Sequence, residues 1–168
     1  MKNRLFNIFL ILAGITISVS CGKTLLEQKP LGALDENVLA NKAGVEGLLI
    51  GAYSLLDGYG AGGNWDASGS NWVYGGVVGG DAHKGSDAGD QGDIVPMEKY
   101  APTSTNGYFN TNCRTVSEAV ARCNNTLKIL PKATNNAATH VRRMTADASF
   151  RRGHYHFEAK KMWGNVPY

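Results

Sequence analysis

The sequence predicts a mostly α-helical fold that is interrupted by one long irregular loop. Three segments, residues 41–57, 107–130 and 136–163, repeat apolar residues at steps of three and four, as amphipathic helices do. Between the first two segments glycine is concentrated, since 12 of the 21 glycines lie within residues 58–105. We therefore expect this stretch to form a loop, and loops of this length are typically functional or disordered.

The first helix is expected to begin at Asn41, whose side chain suits a helix N-cap. Its apolar positions define one face: Val45, Leu48, Leu49, Ala52, Leu55 and Leu56. Asp57 and Gly58 are expected to end it. In the following loop, Val73, Val77 and Val78 are expected either to pack against the domain or to form a short strand.

The second and third helices are joined by a short turn after Pro131, so they should be antiparallel neighbours. The apolar stripe of the second is Val116, Val120, Cys123, Leu127 and Leu130, and that of the third is Met144, Ala148, Tyr155, Ala159 and Met162. Phe150 and Phe157 form another stripe. A hairpin of this kind buries its faces against further repeats, so we expect the chain to hold only the first part of a helical array.

One charged residue, Arg151, falls on the apolar stripe of the third helix. A buried unpaired charge is costly, so Arg151 must extend to water, form an ion pair or face a gap. Cys113 and Cys123 lie ten residues apart in the second helix, which separates them by about 15 Å along the axis. A disulfide requires Cα atoms within about 7 Å, so we expect two reduced, packed cysteines.

The first 20 residues have the layout of a secretory signal peptide. Lys2 and Arg4 precede an apolar run, Leu5–Val19. This run is shorter than the roughly 20 apolar residues that a membrane-spanning helix needs. We therefore expect residues 1–20 to be an export signal.

A cysteine stands where a bacterial lipoprotein carries its lipid. Ser18–Cys21 resembles a lipobox, although Ser18 replaces the usual leucine. We expect acylation of Cys21, with residues 21–40 as the lipidated N-terminus and tether, and residues 41–168 as the helical domain. Acyl chains bind a bilayer stably, since each buried CH₂ contributes about 0.8 kcal/mol. The alternative is a plain signal peptide with an incidental cysteine.

The charge of the chain excludes one class of partner. The formal net charge is +3, and Lys2 and Arg4 of the signal supply two of these charges, which leaves +1 after residue 20. Nucleic-acid binding requires a marked basic excess. We therefore expect no nucleic-acid partner.

Three local patterns suggest chemistry that the sequence does not otherwise support. Residues 58–63 match G-x-G-x-x-G but follow a helix rather than a strand, so a flexible turn is favoured over a dinucleotide site. Four loop aspartates make calcium conceivable, although their spacing is not that of an EF-hand and solvated side chains are favoured: Asp81, Asp87, Asp90 and Asp93. His154 and Glu158 share a helix face, but no third metal ligand accompanies them.

Aromatic residues in the polar loop indicate ligand binding instead. Trp65, Trp72 and Tyr74 lie in the glycine-rich segment. Sugar rings present apolar CH faces that stack on aromatic side chains, while loop amides meet the hydroxyl groups. The alternative is that these rings only pin the loop to the helices.

Several stretches together resemble the SusD/RagB family of outer-membrane lipoproteins. They are Leu26–Pro30 after Cys21, Gly51–Tyr53, Gly80–Asp87, Arg122–Leu127 and, most specifically, Arg152–Tyr168. The resemblance runs from about Cys21 to the last residue. Three positions depart from the family pattern: Cys113 and Ser117 stand where bulky aromatics are usual, and Arg151 stands where leucine is usual.

The resemblance implies an incomplete array of TPR-like helical hairpins with an irregular lobe. It implies a lipoprotein on the outer face of the bacterial outer membrane that captures oligo- or polysaccharide for a SusC-like TonB-dependent transporter. It also implies no enzymatic activity and no cofactor. The candidate glycan contacts are Trp65, Trp72, Tyr74 and Asp81. A helical scaffold that binds only protein partners is the alternative function.

Overall fold

The computed structural model describes residues 35–59, 67–68, 71–134 and 136–167. These residues lie in one compact unit, Asp35–Tyr168. The unit is mostly helical, as predicted, and no strand occurs in the described ranges. Its α-helices are α1 Glu36–Leu39, α2 Lys42–Tyr53, α3 Ile94–Glu98, α4 Gly107–Ile129 and α5 Ala138–Trp163. No helix in the part described has both the length and the apolar character needed to cross a membrane.

Helix α2 begins where the sequence predicts, because Asn41 Oδ1 accepts a hydrogen bond from the Gly44 backbone N–H at 3.0 Å. The predicted helix was too long at its other end: α2 ends at Tyr53, and residues 54–57 form turns. Leu55 is nevertheless buried, whereas Leu56 is 40 % exposed.

Helices α4 and α5 form the predicted hairpin, and α2 packs against both. The core has two neighbouring parts. One contains Ala52, Leu55, Val116, Ala119, Cys123, Tyr155 and Ala159, and the other Val45, Leu49, Ile129, Leu130, Met144 and Ala148. Complete burial of a leucine or methionine side chain stabilises a fold by about 1.5–3 kcal/mol. The Tyr155 hydroxyl also donates a 2.6 Å hydrogen bond to the Ala52 carbonyl oxygen, which fixes the register of α2 on α5.

The segment predicted as irregular contains two helical turns. A π-helical turn spans Val73–Val77, and α3 follows at Ile94–Glu98. Their apolar residues form a third small core with the start of α4: Val73, Val77, Ile94, Met97 and Tyr108. The prediction of a continuous loop was therefore wrong, and the short strand offered for the valines is a helical turn instead. Elements of five residues are too short to establish a helical period.

The start of α4 is tied to this segment through Asp93. The Gly107 backbone N–H donates to Asp93 Oδ2 at 2.9 Å, and the Asn106 side chain donates to the Asp93 carbonyl at 2.8 Å. A Cβ on Gly107 would lie only 2.7 Å from Asp93 Oδ2. A larger residue at position 107 would therefore displace the Asp93 carboxylate from this contact.

The two cysteines of α4 are free, as the helical spacing predicts. Cys123 is buried, and burial raises the pKa of its thiol to about 11. Cys113 is exposed, so the prediction that both are packed was wrong for Cys113. Its position on α4 lies outside the face that contacts the other helices.

The second aromatic stripe of α5 faces solvent. Phe150 is 72 % exposed and Phe157 is 60 % exposed. Their spacing of seven residues defines a common face, but periodicity alone does not show whether a partner covers that face.

Arg151 lies beside Tyr53 rather than in water. Its guanidinium carbon is 2.8 Å from the centroid of the Tyr53 ring, and Nη2 is 3.8 Å from Asp147 Oδ1. The Arg151 side chain is only 12 % exposed, and its Nε has no hydrogen-bond partner. Burial lowers the pKa of this guanidinium. The ion pair and the ring contact therefore compensate only part of the cost of desolvation.

Replacement of Arg151 by leucine should raise stability by about 1 kcal/mol, because it removes a desolvated charge and adds apolar contact with Tyr53. Thermal melts followed by circular dichroism would measure the change. Arg143→Leu is the matched control, since Arg143 is exposed on the same helix and should give no gain. A lower melting temperature for Arg151→Leu would show that the contacts of Arg151 with Tyr53 and Asp147 stabilise the fold by more than the desolvation of its guanidinium costs.

The Glu36 carboxylate joins α1 to the end of α4. It pairs with the ammonium group of Lys128 and, at 2.5 Å, with that of Lys132. Hydrogen bonds from these two lysines lower the Glu36 pKa from 4.5 to about 2. A lowered folded-state pKa means that the stabilisation is fully present above the unfolded value of 4.5 and is lost as the pH falls through about 2.

Glu36→Gln should therefore lower the melting temperature at neutral pH and at low salt. The difference from wild type should shrink as the pH falls from about 4.5 towards 2, where wild-type Glu36 becomes protonated. A concentration of 1 M NaCl should also reduce it, since this pair is exposed to solvent. A difference that is independent of both pH and salt would rule out the ion pairs as its cause.

Candidate functional site

The described residues form a cleft where the segment 71–102 meets the hairpin. Its volume is about 650 Å³, within the range of small-molecule binding sites. One wall comes from the π-helical turn and α3, and the other from the start of α4 and the end of α5. The lining residues are Asn71, Tyr74, Gly75, Val78, Met97, Tyr100, Pro102, Phe109, Glu158, Lys161 and Met162. We call this feature the aromatic cleft.

Tyr74 is held firmly in the wall of the cleft. Its hydroxyl donates to the Tyr108 carbonyl at 2.8 Å, and its ring meets the Tyr108 ring edge to face, with centroids 6.2 Å apart. Tyr108 is buried, and its own hydroxyl donates to Gln91 Oε1 at 3.1 Å. Tyr74 therefore both anchors the loop to α4 and lines the cleft. A structural role and a ligand-binding role are compatible for this residue.

Tyr100 occupies an unusual backbone position at the end of α3. The Ala101 N–H donates to the Pro96 carbonyl at 2.9 Å, and the Tyr100 N–H donates to the Met97 carbonyl at 3.1 Å. This is a Schellman motif, in which glycine is preferred at the position that Tyr100 fills. The φ angle of Tyr100 is +54°, and a left-handed conformation costs a non-glycine residue about 1 kcal/mol.

Packing in the core does not require a tyrosine at position 100, because Tyr100 is 69 % exposed. The backbone of Tyr100 is strained, and its ring is largely exposed to solvent beside the cleft. Strain of this kind concentrates at functional sites. Tyr100 is thus an aromatic surface that is free to receive a ligand.

The opposite wall of the cleft carries an ion pair. Lys161 Nζ lies 2.5 Å from Glu158 Oε2, and the Glu158 side chain is only 12 % exposed. Paired charges with remaining hydrogen-bonding capacity can bind neutral hydroxyl groups, as both partners stay satisfied without a ligand. The cleft therefore combines aromatic rings on one side with a hydroxyl-binding pair on the other.

The predicted site residues are not gathered in one place. Of those that the structure describes, Tyr74 lines the aromatic cleft. Trp72 is 44 % exposed and is not part of the lining. Asp81 is exposed, and its backbone N–H donates to the Gly76 carbonyl at 2.9 Å in a turn. Trp72 and Asp81 are thus described outside the lining of this cleft, while Trp65 and Cys21 lie outside the described residues.

The loop aspartates have local structural roles. Asp87 Oδ1 accepts the backbone N–H groups of Gly89 and Asp90, each at 3.0 Å, and Asp93 caps the start of α4. No group of three or more potential metal ligands occurs in the ranges that the structure describes. The calcium interpretation therefore receives no support from these side chains.

His154 and Glu158 line the same small cavity, but each also has another contact. The His154 ring packs edge to face with Tyr155, with centroids 5.6 Å apart. Glu158 pairs with Lys161 in the cleft wall. His83 instead contacts Glu98 and links the glycine-rich segment to α3.

Sequence reasoning missed Tyr100, Phe109 and Lys161 as lining residues. Phe109 and Lys161 come from different helices, so only their packing brings them together. The signal at Tyr100 is conformational, because the sequence Glu98–Lys99–Tyr100 does not show which residue adopts a positive φ. Comparisons with protein families, with curated proteins and with solved structures found no match.

Tyr100→Gly should raise the free energy of unfolding by about 0.5–1 kcal/mol, since glycine adopts the left-handed conformation without strain. Thermal or chemical denaturation would measure the gain. Lys99→Gly provides the control. Because Lys99 has φ −84°, glycine relieves no strain there, and this variant should be less stable than wild type. A loss of stability in Tyr100→Gly would mean that the Tyr100 ring stabilises the fold. The ring would then have a structural role, and its exposure would not indicate a ligand site.

Proposed function

We propose that this chain is a surface lipoprotein that captures oligo- or polysaccharide for a partner transporter of the SusC-like, TonB-dependent type. The observation that carries the proposal is the aromatic cleft, with Tyr74, Tyr100 and Phe109 around it. Sugar rings bind through apolar CH faces and hydroxyl groups, and the cleft offers surfaces for both. The resemblance of the sequence to SusD/RagB lipoproteins supports the same class.

Binding would be passive under this proposal. Tyr100 receives one face of a sugar ring, while Glu158 and Lys161 exchange hydrogen bonds with hydroxyl groups. No bond is made or broken, and no cofactor takes part. The α4–α5 hairpin would belong to a TPR-like array of the SusD type, and its mainly helical character is consistent with that arrangement.

The proposed location is the outer face of the bacterial outer membrane. The export signal in residues 1–20 and the lipobox-like Ser18–Cys21 support lipid attachment at Cys21. Metabolic labelling with a fatty acid tests this step, with Cys21→Ala as the variant. Equal labelling of the two proteins would exclude acylation at Cys21.

Tyr100→Ala and Phe109→Ala should each weaken polysaccharide binding by about five- to thirty-fold, since burial of an aromatic face is worth about 1–2 kcal/mol. Affinity electrophoresis in gels that contain a panel of neutral plant and bacterial polysaccharides would measure retardation. Phe150→Ala is the matched control, because Phe150 is an exposed aromatic residue on α5 outside the cleft.

Retention of full affinity in both cleft variants would exclude the cleft as the sugar site. Trp72→Ala in the same gels tests the predicted site residue that lies outside the lining. A loss confined to Trp72→Ala would place the site on the exposed side of the π-helical turn.

A helical scaffold that binds only protein is the second candidate. Phe150 and Phe157 favour it, because both rings are exposed on one face of α5. The scaffold hypothesis predicts co-purification with a membrane protein and no retardation by any polysaccharide. It also predicts that Phe150→Ala, rather than Tyr100→Ala, weakens that co-purification.

A further inference from the structure

Charge is distributed unevenly along this nearly neutral chain. Residues 57–98 contain seven acidic side chains and one lysine. Residues 114–161, which include most of the α4–α5 hairpin, contain ten basic and three acidic side chains. A charge asymmetry of this kind indicates interaction with an anionic partner even where the net charge is small.

Five of the basic residues lie at one end of the helical bundle, where α2 and α5 begin and α4 ends. They are Lys42, Lys128, Lys132, Arg142 and Arg143, and all five are exposed. Two contacts show that these helix ends adjoin. The Thr134 N–H donates to the Ala40 carbonyl at 3.2 Å, and His140 Nε2 lies 3.4 Å from Glu46 Oε1. We call this surface the basic end.

Part of this charge is not neutralised locally. Glu36 pairs with Lys128 and Lys132. Lys42, Arg142 and Arg143 make no hydrogen bond or ion pair with the other described residues. Helices α2 and α5 direct their N-termini to this end, which adds partial positive charge, while the C-terminus of α4 adds partial negative charge there. No side chain caps α5, whose N-cap residue is Ala137.

We propose that the basic end docks on the anionic headgroups of the membrane that anchors this protein. Charge complementarity supports a lipid surface, and the lipobox-like Ser18–Cys21 supplies a reason for the membrane to be close. Asp35, where the described domain begins, lies only 14 positions after Cys21. That length spans at most about 50 Å. The inference rests on the lipoprotein part of the proposed function, but it does not depend on glycan binding.

Docking in this way would orient the aromatic cleft. On α5, Met162 in the cleft lies 20 residues after Arg142 at the basic end. A helix rises 1.5 Å per residue, so about 30 Å separate the two positions along the axis. The basic end would contact the headgroups while the cleft opens towards the medium.

The test measures how the full chain partitions onto vesicles of 30 % phosphatidylglycerol in phosphatidylcholine and onto vesicles of phosphatidylcholine alone. Arg142→Gln/Arg143→Gln should reduce partitioning onto the anionic vesicles by about five- to thirty-fold at low salt, since each basic residue near the surface contributes several-fold. The reduction should disappear in 1 M NaCl. Binding to the neutral vesicles should not change.

Lys84→Gln/Lys99→Gln is the matched control, because it removes the same charge from the segment 71–102, which contributes no residue to the basic end. It should change partitioning by less than about twofold. Every variant has the same sequence before Asp35, so any membrane affinity of that part is common to all. Melting temperatures should match wild type, as Arg142 and Arg143 are exposed. If they fall, Lys42→Gln tests the same surface.

Equal losses of binding to anionic vesicles in the two double variants would overturn the proposal, because binding would then depend only on net charge. No loss in either would overturn it as well. A third outcome is that Arg142→Gln/Arg143→Gln binds vesicles as wild type does but is no longer retained on poly-glutamate. This result would overturn membrane docking and assign the basic end to an acidic protein partner. Failure of polysaccharide binding in gels would leave the vesicle result unaffected, so the two proposals fail separately.

Discussion

The packing of α2 against the α4–α5 hairpin is the constraint on which the rest of the described structure depends. Ala52 is fully buried there, and its carbonyl accepts the hydroxyl of Tyr155 at 2.6 Å. Burial raises the pKa of the Tyr155 hydroxyl to about 12, as expected for a phenol enclosed in the core. Because this bond joins residues 103 positions apart in the sequence, it fixes α2 on a helix that lies far along the chain.

The hairpin in turn gives the short elements of residues 71–102 something to pack against. A π-helical turn and the five-residue α3 could not be stable alone, since isolated helices of this length are unfavourable in water. Tyr108 at the start of α4 completes their small core, and Asp93 ties them to Gly107. The aromatic cleft is a consequence of this packing, because its two walls belong to segments that meet only in the folded unit.

The sequence allowed the long helices, their hairpin and the buried faces of α2 and α5 to be predicted, because period and capping act locally. The Asn41 cap and the α5 stripe through Tyr155 follow from such rules. On α4 only Val116 and Cys123 of the eight buried residues lie on the predicted stripe, since that face also buries polar side chains. Arg151 was identified as anomalous, but its contact with the Tyr53 ring depends on a different helix. The cleft could not be predicted, since Tyr100 owes its exposure to a positive φ and Phe109 meets Lys161 only through tertiary packing.

The most direct test of the central claim observes the rings of the cleft while sugar is present. We would record NMR spectra of ring-labelled tyrosine and phenylalanine during titration with oligosaccharides from a polysaccharide that retards the protein. We expect shifts at Tyr74, Tyr100 and Phe109, with Phe150 unchanged. Shifts confined to Phe150 and Phe157, or no shifts at saturating sugar, would contradict it.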